Sequence, residues 1–295
     1  MAQSIINAKS IVVADAVILS APYEKTASSH KGTALGPKAV IGMLNTQIEF
    51  FDRTFKCEVN SKIAITHQDL KGIEKLSPEK ALKKITDECS VLVAKNKFVF
   101  LLGGEHSVSV GLLSALSKKY NPKDVTILQI DAHCDLRNDD SDYSNTPSKY
   151  AHSCVMRRAS EMGYNIVQVG ARSFSTEEYN YFSNPKNNVT TFEWAVGKKP
   201  TIAEILKSIK TKYLYISIDV DGFDPAHMPG TGTAVQGGLE WWYGIELLEK
   251  AIKSNELVGA DIVEVSPTKD TVLTEYGAAQ LCYTILSNKF INKLK

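Results

Sequence analysis

The sequence contains no apolar stretch approaching the roughly 18 residues that a membrane-spanning helix needs. Its opening, MAQSIINAKSIVVADAVILS, is broken by Lys9 and Asp15, so it lacks the continuous apolar centre of a secretion signal. Charge of one sign is also missing. The chain carries 34 Lys and Arg against 33 Asp and Glu, a net charge of +1, and its basic residues form only short pieces such as Lys118-Lys119. No electrostatic footprint for nucleic acid is present, and neither nucleic acid nor a membrane is expected as a partner. Cysteine is sparse: Cys57, Cys89, Cys134, Cys154 and Cys282 are odd in number, scattered, and form no C-x-x-C pair. That usage fits free thiols in a reducing compartment, and a cytoplasmic protein is expected. Internal repeats, low-complexity tracts and Pro/Ser/Gly-rich linkers are absent, so residues 1–295 are expected to form one domain. With 43% hydrophobic and 23% charged residues, the chain has what a soluble globular core requires and is not a disordered sequence.

Short apolar runs rich in β-branched residues alternate with segments of helical period. The predicted strands are Val17 to Leu19, Phe98 to Leu102, Val125 to Ile130, Ile166 to Val169, Tyr213 to Ile218 and Val258 to Val265. One helix is expected to start at Ser77-Pro78-Glu79, where Ser suits the cap and Pro the first turn. Others are Val108 to Lys119, Ile202 to Lys210, Ile245 to Lys253 and Tyr276 to Leu286. This alternation predicts an α/β fold of three layers, helices covering both faces of a mostly parallel sheet. Turn-rich stretches at 138–148 and 221–238 directly follow predicted strands, where open α/β sheets bind ligands.

Three of those strands end in ligand-type side chains. VTILQI runs into Asp131-Ala132-His133-Cys134-Asp135, and continued alternation would put Asp131, His133 and Asp135 on one face and Ala132 and Cys134 on the other. YLYISI runs into Asp219-Val220-Asp221, and FVFLL into Gly103-Gly104-Glu105-His106. Taken singly, the first motif fits a solvated turn as well as a metal site, and His106 fits a local hydrogen-bonding group. Together they bring four carboxylates and two imidazoles to one place, a set that repels itself unless cations neutralise it. This hard, oxygen-rich set suits two divalent ions better than one zinc, and Mn2+ is the expected ion. Two such ions acidify a shared water and provide hydroxide at neutral pH. Cys134 faces away by alternation and Cys154 has no catalytic partner, so neither is read as a nucleophile. The glycines of Pro229 to Thr233 and Gly237-Gly238 do not follow the G-x-G-x-x-G pattern and are read as loop shapers.

At these residues the sequence resembles the ureohydrolase family of arginases and agmatinases. The matching segments are GGEHS at 103–107, DAHCDLR at 131–137, SIDVDGFDPAHMPGTGT at 217–233 and DIVEVSP at 261–267, with an earlier one, PYEKTASSHKGTALGPKAV, at 22–40. Similarity extends from about residue 20 to 287. It implies an arginase-like fold with two Mn2+ per subunit. One ion would be held by His106, Asp131, Asp135 and Asp219 and the other by His133, Asp131, Asp219 and Asp221. It also implies that Asp135 passes a proton to the leaving amine, that Glu264 grips the guanidinium, and that His152 relays protons or steadies substrate at the mouth. A carboxylate can accept the paired N–H donors of a planar guanidinium bidentately, and an imidazole titrates near neutral pH. His30, His67 and His227 fall on no position that the chemistry uses.

The implied reaction is hydrolysis of a primary guanidine to urea and an amine. Arginases read the α-amino acid end of arginine with polar residues after D-x-H-x-D and an aspartate in a later loop. Here Leu136-Arg137 follows the motif and the later loop, 170–175, has no acid at its centre, which resembles agmatinases; so does Ser266 before Pro267, where arginases tend to have Asn. Agmatine giving putrescine is therefore the leading substrate. Arginine, guanidinobutyrate, guanidinopropionate and guanidine remain alternatives, as do a non-catalytic metal-binding regulatory subunit and, less compatible with Glu264, a two-metal phosphoesterase. Ala234 departs from the Pro usual after G-T-G-T. The loop 138–148 is unusually acidic, and Asp139, Asp140 and Asp142 are either solvated or face the far amine of agmatine. A homotrimer or homohexamer is implied by resemblance alone.

Overall fold

A computed structural model describes residues 4–290. The strands are β1 (Ala16–Ala21), β2 (Phe51–Asp52), β3 (Cys57–Glu58), β4 (Ile65–Asp69), β5 (Phe98–Gly103), β6 (Val125–Ile130), β7 (Asn165–Ala171), β8 (Val189–Glu193), β9 (Tyr213–Asp219) and β10 (Glu256–Val263). The helices are α1 (Gly36–Thr46), α2 (Pro78–Ala94), α3 (Ser109–Leu116), α4 (Val155–Glu161), α5 (Thr176–Phe182), α6 (Ile202–Ser208), α7 (Trp241–Ser254) and α8 (Leu273–Lys289). Eight strands make one sheet in the order β4-β1-β5-β10-β9-β6-β7-β8, and every adjacent pair is parallel. Among the described residues only β2 and β3 stand apart, as a small antiparallel pair.

The sheet is buried on both sides because its strands are apolar at successive positions, as parallel sheets require. Alternation then sorts the side chains. Ile18, Phe100, Leu128, Ile216 and Ile262 pack with residues of α1, α6, α7 and α8 on one face. Val17, Leu101, Ile127, Tyr215 and Val263 pack with α2, α3 and α4 on the other. The expected three-layer α/β/α architecture is therefore present. All six predicted strands form, most of them a residue or two longer or displaced, and all five predicted helices form, with α7 and α8 starting three or four residues early.

Candidate active site

The four strands that carry the ligand-type residues are the consecutive central strands β5, β10, β9 and β6. Their carboxyl ends therefore deliver His106, Glu264, Asp219 with Asp221, and the Asp131 to Asp135 segment to one place. In-register pairing of Val263 with Asp219 and of Ile130 with Ile218 aligns the ends. Close approach of the loop after β9 to the end of β6 depends on Gly222. A Cβ there would lie 2.6 Å from the amide nitrogen of Asp131, far inside contact distance.

Alternation holds from Asp131 through Cys134, whose side chain is buried in the opposite core layer. It then breaks, because Asp135 takes a left-handed backbone, φ 53°. Its carbonyl accepts the amides of Met156 and Arg157 at the start of α4, at 3.0 and 3.1 Å, which fixes that conformation. Glu264 is left-handed too, φ 63°, with its amide bonded to the Gly104 carbonyl at 2.8 Å. Such backbone in a non-glycine residue costs on the order of 1–3 kcal/mol and persists where surrounding contacts enforce it. Among the described residues, two of the five non-glycine residues with positive φ are thus candidate site residues.

Two groups of ligand-type atoms result, and they share Asp131. The first comprises His106, Asp131 and Asp135, the second Asp131, His133 and Asp221. His106 Nδ1 lies 2.9 Å from Asp135 Oδ2, 3.1 Å from Asp131 Oδ2 and 3.6 Å from Asp219 Oδ2. His133 Nδ1 lies 3.1 Å from Asp221 Oδ2 and 3.7 Å from Asp131 Oδ1. Asp219 approaches the first group through Oδ2, while its Oδ1 accepts the Asp221 amide at 2.9 Å.

The chemistry of this donor set fits a cation. Ser217 Oγ donates to Asp261 Oδ1 at 2.8 Å, and the other Asp261 oxygen accepts from Tyr215 Oη. Having given away its only proton, Ser217 Oγ must accept the one on His106 Nε2, 2.9 Å away. In neutral His106 that leaves Nδ1 as a bare lone pair, buried, without a hydrogen-bond partner and facing carboxylate oxygens. A lone pair converging with anions is a metal-binding arrangement.

Protonation reflects the same crowding. Burial would depress His106, yet Asp131 and Asp135 hold it well above its usual range, and Asp221 and Asp131 do the same for His133. Burial and Asp131 push Asp135 up to about 7. Asp219 is raised well above the carboxylate range by burial and Asp221, and Glu264 by burial and Glu105. Asp131 alone is lowered, its two imidazoles outweighing burial.

A cavity of about 310 Å³ opens onto this cluster, with Asp135, Asp219 and Glu264 among its walls and His152, Tyr143 and Glu178 further along. His152 Nε2 lies 3.3 Å from Ser28 Oγ, while Nδ1 is buried without a hydrogen-bond partner. Burial lowers its pKa to about 4, so unlike the near-neutral titration expected from its residue type, it is uncharged at pH 7. None of Asp139, Asp140 and Asp142 lines this cavity. Asp142 pairs with Arg137, and Asp140 is buried with Oδ1 accepting the Ser148 amide at 2.6 Å. The acidic loop therefore does not meet a substrate tail there. Beyond the cluster itself, Glu178 is a carboxylate that does line it, capping α5 through Ser175 and accepting the Leu136 amide at 3.1 Å.

A supporting layer escaped the sequence reading. Besides Ser217 and Asp261 it includes Gln129, whose Nε2 donates to Asp131 Oδ2 at 2.7 Å, and Gln168, which donates to Gln129 Oε1 at 2.6 Å. Glu105 is fully buried and accepts from Thr26 and Ser107, tying the 22–40 segment to the site. Arg172 donates to the carbonyls of Asp221 and Val235, each at 2.7 Å, and so pins the loop after β9. The available signal was a polar residue inside an apolar strand, as at Gln129, Ser217 and Asp261.

The model of the arginase family matches residues 14–287 of this sequence. The chain belongs to the arginase family. An N(1)-aminopropylagmatine ureohydrolase of Synechocystis is 31% identical over 277 residues, 92% of this chain and 87% of that protein. An agmatinase of Bacillus subtilis is 32% identical over 264 residues, 87% of this chain and 85% of that one. Among solved structures, the agmatine ureohydrolase of Thermoplasma volcanium superposes with a TM-score of 0.84 at 28% identity, covering 98% of this chain and 94% of its own. This arginase-family chain is accordingly a ureohydrolase by kinship and fold.

Proposed function

We propose that this chain is a binuclear-metal ureohydrolase that cleaves a primary guanidine to urea and an amine, with agmatine giving putrescine as the leading reaction. The observation that carries the reading is the buried His106 Nδ1, without a hydrogen-bond partner among carboxylates, beneath a cavity that also presents Glu264. His106, Asp131, Asp135 and Asp219 would hold one divalent ion and His133, Asp131, Asp219 and Asp221 the other, Mn2+ by the hardness of the set. Bound there, the pair supplies neutralising charge and a water acidified towards neutral pH. Glu264 accepts the guanidinium N–H groups at the cavity floor and turns the reactive carbon towards Asp135. Asp135, facing His106 through Oδ2, has its second oxygen left to hold a proton and yield it to the departing amine nitrogen. His152, uncharged and lining the cavity, steadies the substrate by hydrogen bonding.

A tail bearing an ammonium group suits the cavity better than one bearing a carboxylate. Glu178 and the aromatic faces of Tyr143 and Phe174 line it, and the guanidinium there, Arg137, is paired with Asp142 and, at 3.9 Å, with Glu178. The protein is read as a single domain acting in the cytoplasm, as a homotrimer or homohexamer. Urea release by the Mn2+-loaded protein, measured across agmatine, arginine, guanidinobutyrate, guanidinopropionate and guanidine with a chelated control, tests the assignment. Metal-dependent release that is greatest from agmatine is expected. Preference for arginine or a guanidino acid overturns the choice of substrate, and silence on the whole panel with two metals bound overturns the catalytic reading.

A further inference from the structure

Beyond the metal cluster and Glu264, the walls of the catalytic cavity carry two formal charges, Arg137 and Glu178. Glu178 contributes charge but no free acceptor. Its Oε1 accepts the Leu136 amide at 3.1 Å, and its Oε2 accepts the Ser175 amide and hydroxyl at 2.8 and 3.0 Å. Arg137 is held less completely. Its Nη1 donates to Asp142, its Nε is 3.9 Å from Glu178 Oε2, too far for a hydrogen bond, and its Nη2 donates to no described residue. The Tyr143 ring, 5.8 Å away, covers one face of the guanidinium.

An arginine keeps its charge at any working pH, and its planar fork grips a carboxylate bidentately. Arg137 would therefore read a tail that ends in a carboxylate, unless another group occupies it. Asp142 does so from outside. It does not line the cavity, its side chain is 67% exposed, and it takes no room from a tail. Nor does the loop depend on this pair alone, since Asp140 accepts the Ser148 amide at 2.6 Å and Glu177 accepts the Asn138 amide at 3.1 Å. Exposed ion pairs of this kind contribute little to stability.

We propose that Asp142 sets the charge preference of the catalytic cavity by keeping Arg137 engaged, so that a guanidine ending in a carboxylate finds no free cation. The proposal rests on the ureohydrolase reading and deepens it, from the reaction performed to how substrate tails are sorted. With Asp142 in place, Arg137, Glu178 and Asp142 sum to one negative charge around the tail, which suits an ammonium group. Without it the remaining two sum to zero, and both arms of Arg137 can donate to a carboxylate. Asp142 acts through Arg137 and is a positioning residue.

The test compares kcat/KM of the Mn2+-loaded protein for agmatine, guanidinobutyrate and butylguanidine, whose tails are similar in length and end in a positive, a negative and no charge. Wild type is expected to favour agmatine. Asp142→Asn should raise the ratio of guanidinobutyrate to agmatine by about five- to tenfold, the worth of one charge-assisted hydrogen bond, mostly through KM. Butylguanidine should move by less than about twofold. Adding Arg137→Gln to Asp142→Asn should abolish the gain. Asp139→Asn takes the same charge from the same loop, where its Oδ1 accepts the Ser141 amide, and leaves Arg137 paired, so its ratio should stay at the wild-type value. A wild type that prefers guanidinobutyrate, a ratio unmoved by Asp142→Asn, a parallel fall for all three compounds, or an equal shift with Asp139→Asn overturns the proposal, while urea from agmatine still upholds the reaction. Absence of urea from all three compounds in wild type overturns the guanidine reading and the proposal with it.

Discussion

Ser217 Oγ stands 2.9 Å from His106 Nε2 and relays that contact to Asp261, its in-register neighbour on β10. The pairing fixes which imidazole nitrogen carries the proton and leaves Nδ1 free for the metal. Ser217→Ala removes the acceptor without adding bulk. Metal affinity is expected to fall about 10- to 100-fold, as for other partners that orient a ligand, with the far-ultraviolet circular dichroism unchanged. Titration of Mn2+ into stripped protein measures it. An unaltered affinity would mean that the hydrogen bond does not set the tautomer.

Stripping the metal should make stability depend on pH in an unusual direction. His106, His133, Asp135, Asp219 and Glu264 all have native pKa values above those of the unfolded chain. The stripped native state therefore binds more protons than the unfolded one, and its stability falls as pH rises. For the carboxyl groups the loss begins above about pH 4, with Asp135 titrating at about 7, and for the imidazoles above about pH 6.5. Metal replaces those protons, so its binding tightens over the same range. Calorimetric melting should show the Tm of stripped protein dropping between pH 6 and 8 while that of loaded protein holds. A stripped protein that becomes more stable with rising pH contradicts the picture of an unneutralised carboxylate cluster.

Glu264 belongs to neither ligand group, and its Oε1 accepts the His106 amide at 2.8 Å. Glu264→Gln keeps that amide contact and removes the negative charge. Loss of one charge-assisted interaction with the guanidinium predicts a fall of about 10- to 100-fold in kcat/KM with metal content intact. Urea assays paired with metal analysis distinguish this from Asp131→Ala, which should lose metal and activity together because Asp131 is shared by both groups.

Most of the central sheet was legible because its strands are buried on both faces and read as apolar runs. The edges were not: β4 (ITHQD) and β8 (VTTFE) are short and half polar, and neither was predicted. The helices α1, α4 and α5 also went unread, the last two being only seven residues long. Candidate ligands stood out because they sit at strand ends in recognisable spacing. Their support did not, since Ser217 meets Asp261 through cross-strand register and Arg172 reaches carbonyls 49 to 64 residues away. Neither relation is local in sequence. Expected convergence of Asp135 by simple alternation was right in outcome and incomplete in cause, because a left-handed residue completes the turn. Charge alone does not say which carboxylates of the acidic loop fold it and which face a ligand; Asp142 pairs with Arg137 and Asp140 accepts the Ser148 amide.

Gly222 offers a direct test of how the two halves of the cluster are held together. An added Cβ meets backbone, 2.6 Å from the Asp131 nitrogen and 2.8 Å from the Ile130 carbonyl carbon, where no side-chain rotation relieves it. The loop after β9 must then move away from β6, and with it Asp221, whose Oδ1 accepts the Ala132 amide at 3.0 Å. Gly222→Ala should cost about 1–3 kcal/mol of stability, as overpacking does, and weaken Mn2+ retention at the His133 group more than at the His106 group. Gly42, on the exposed face of α1 with nothing within 4 Å of its added Cβ, is the matched control. Gly42→Ala should stabilise by about 0.5–1 kcal/mol through helix preference and leave both metals bound. Denaturant melts with metal analysis of both variants decide the matter. If Gly222→Ala keeps wild-type stability and both ions, the close approach is not what brings Asp221 to Asp131.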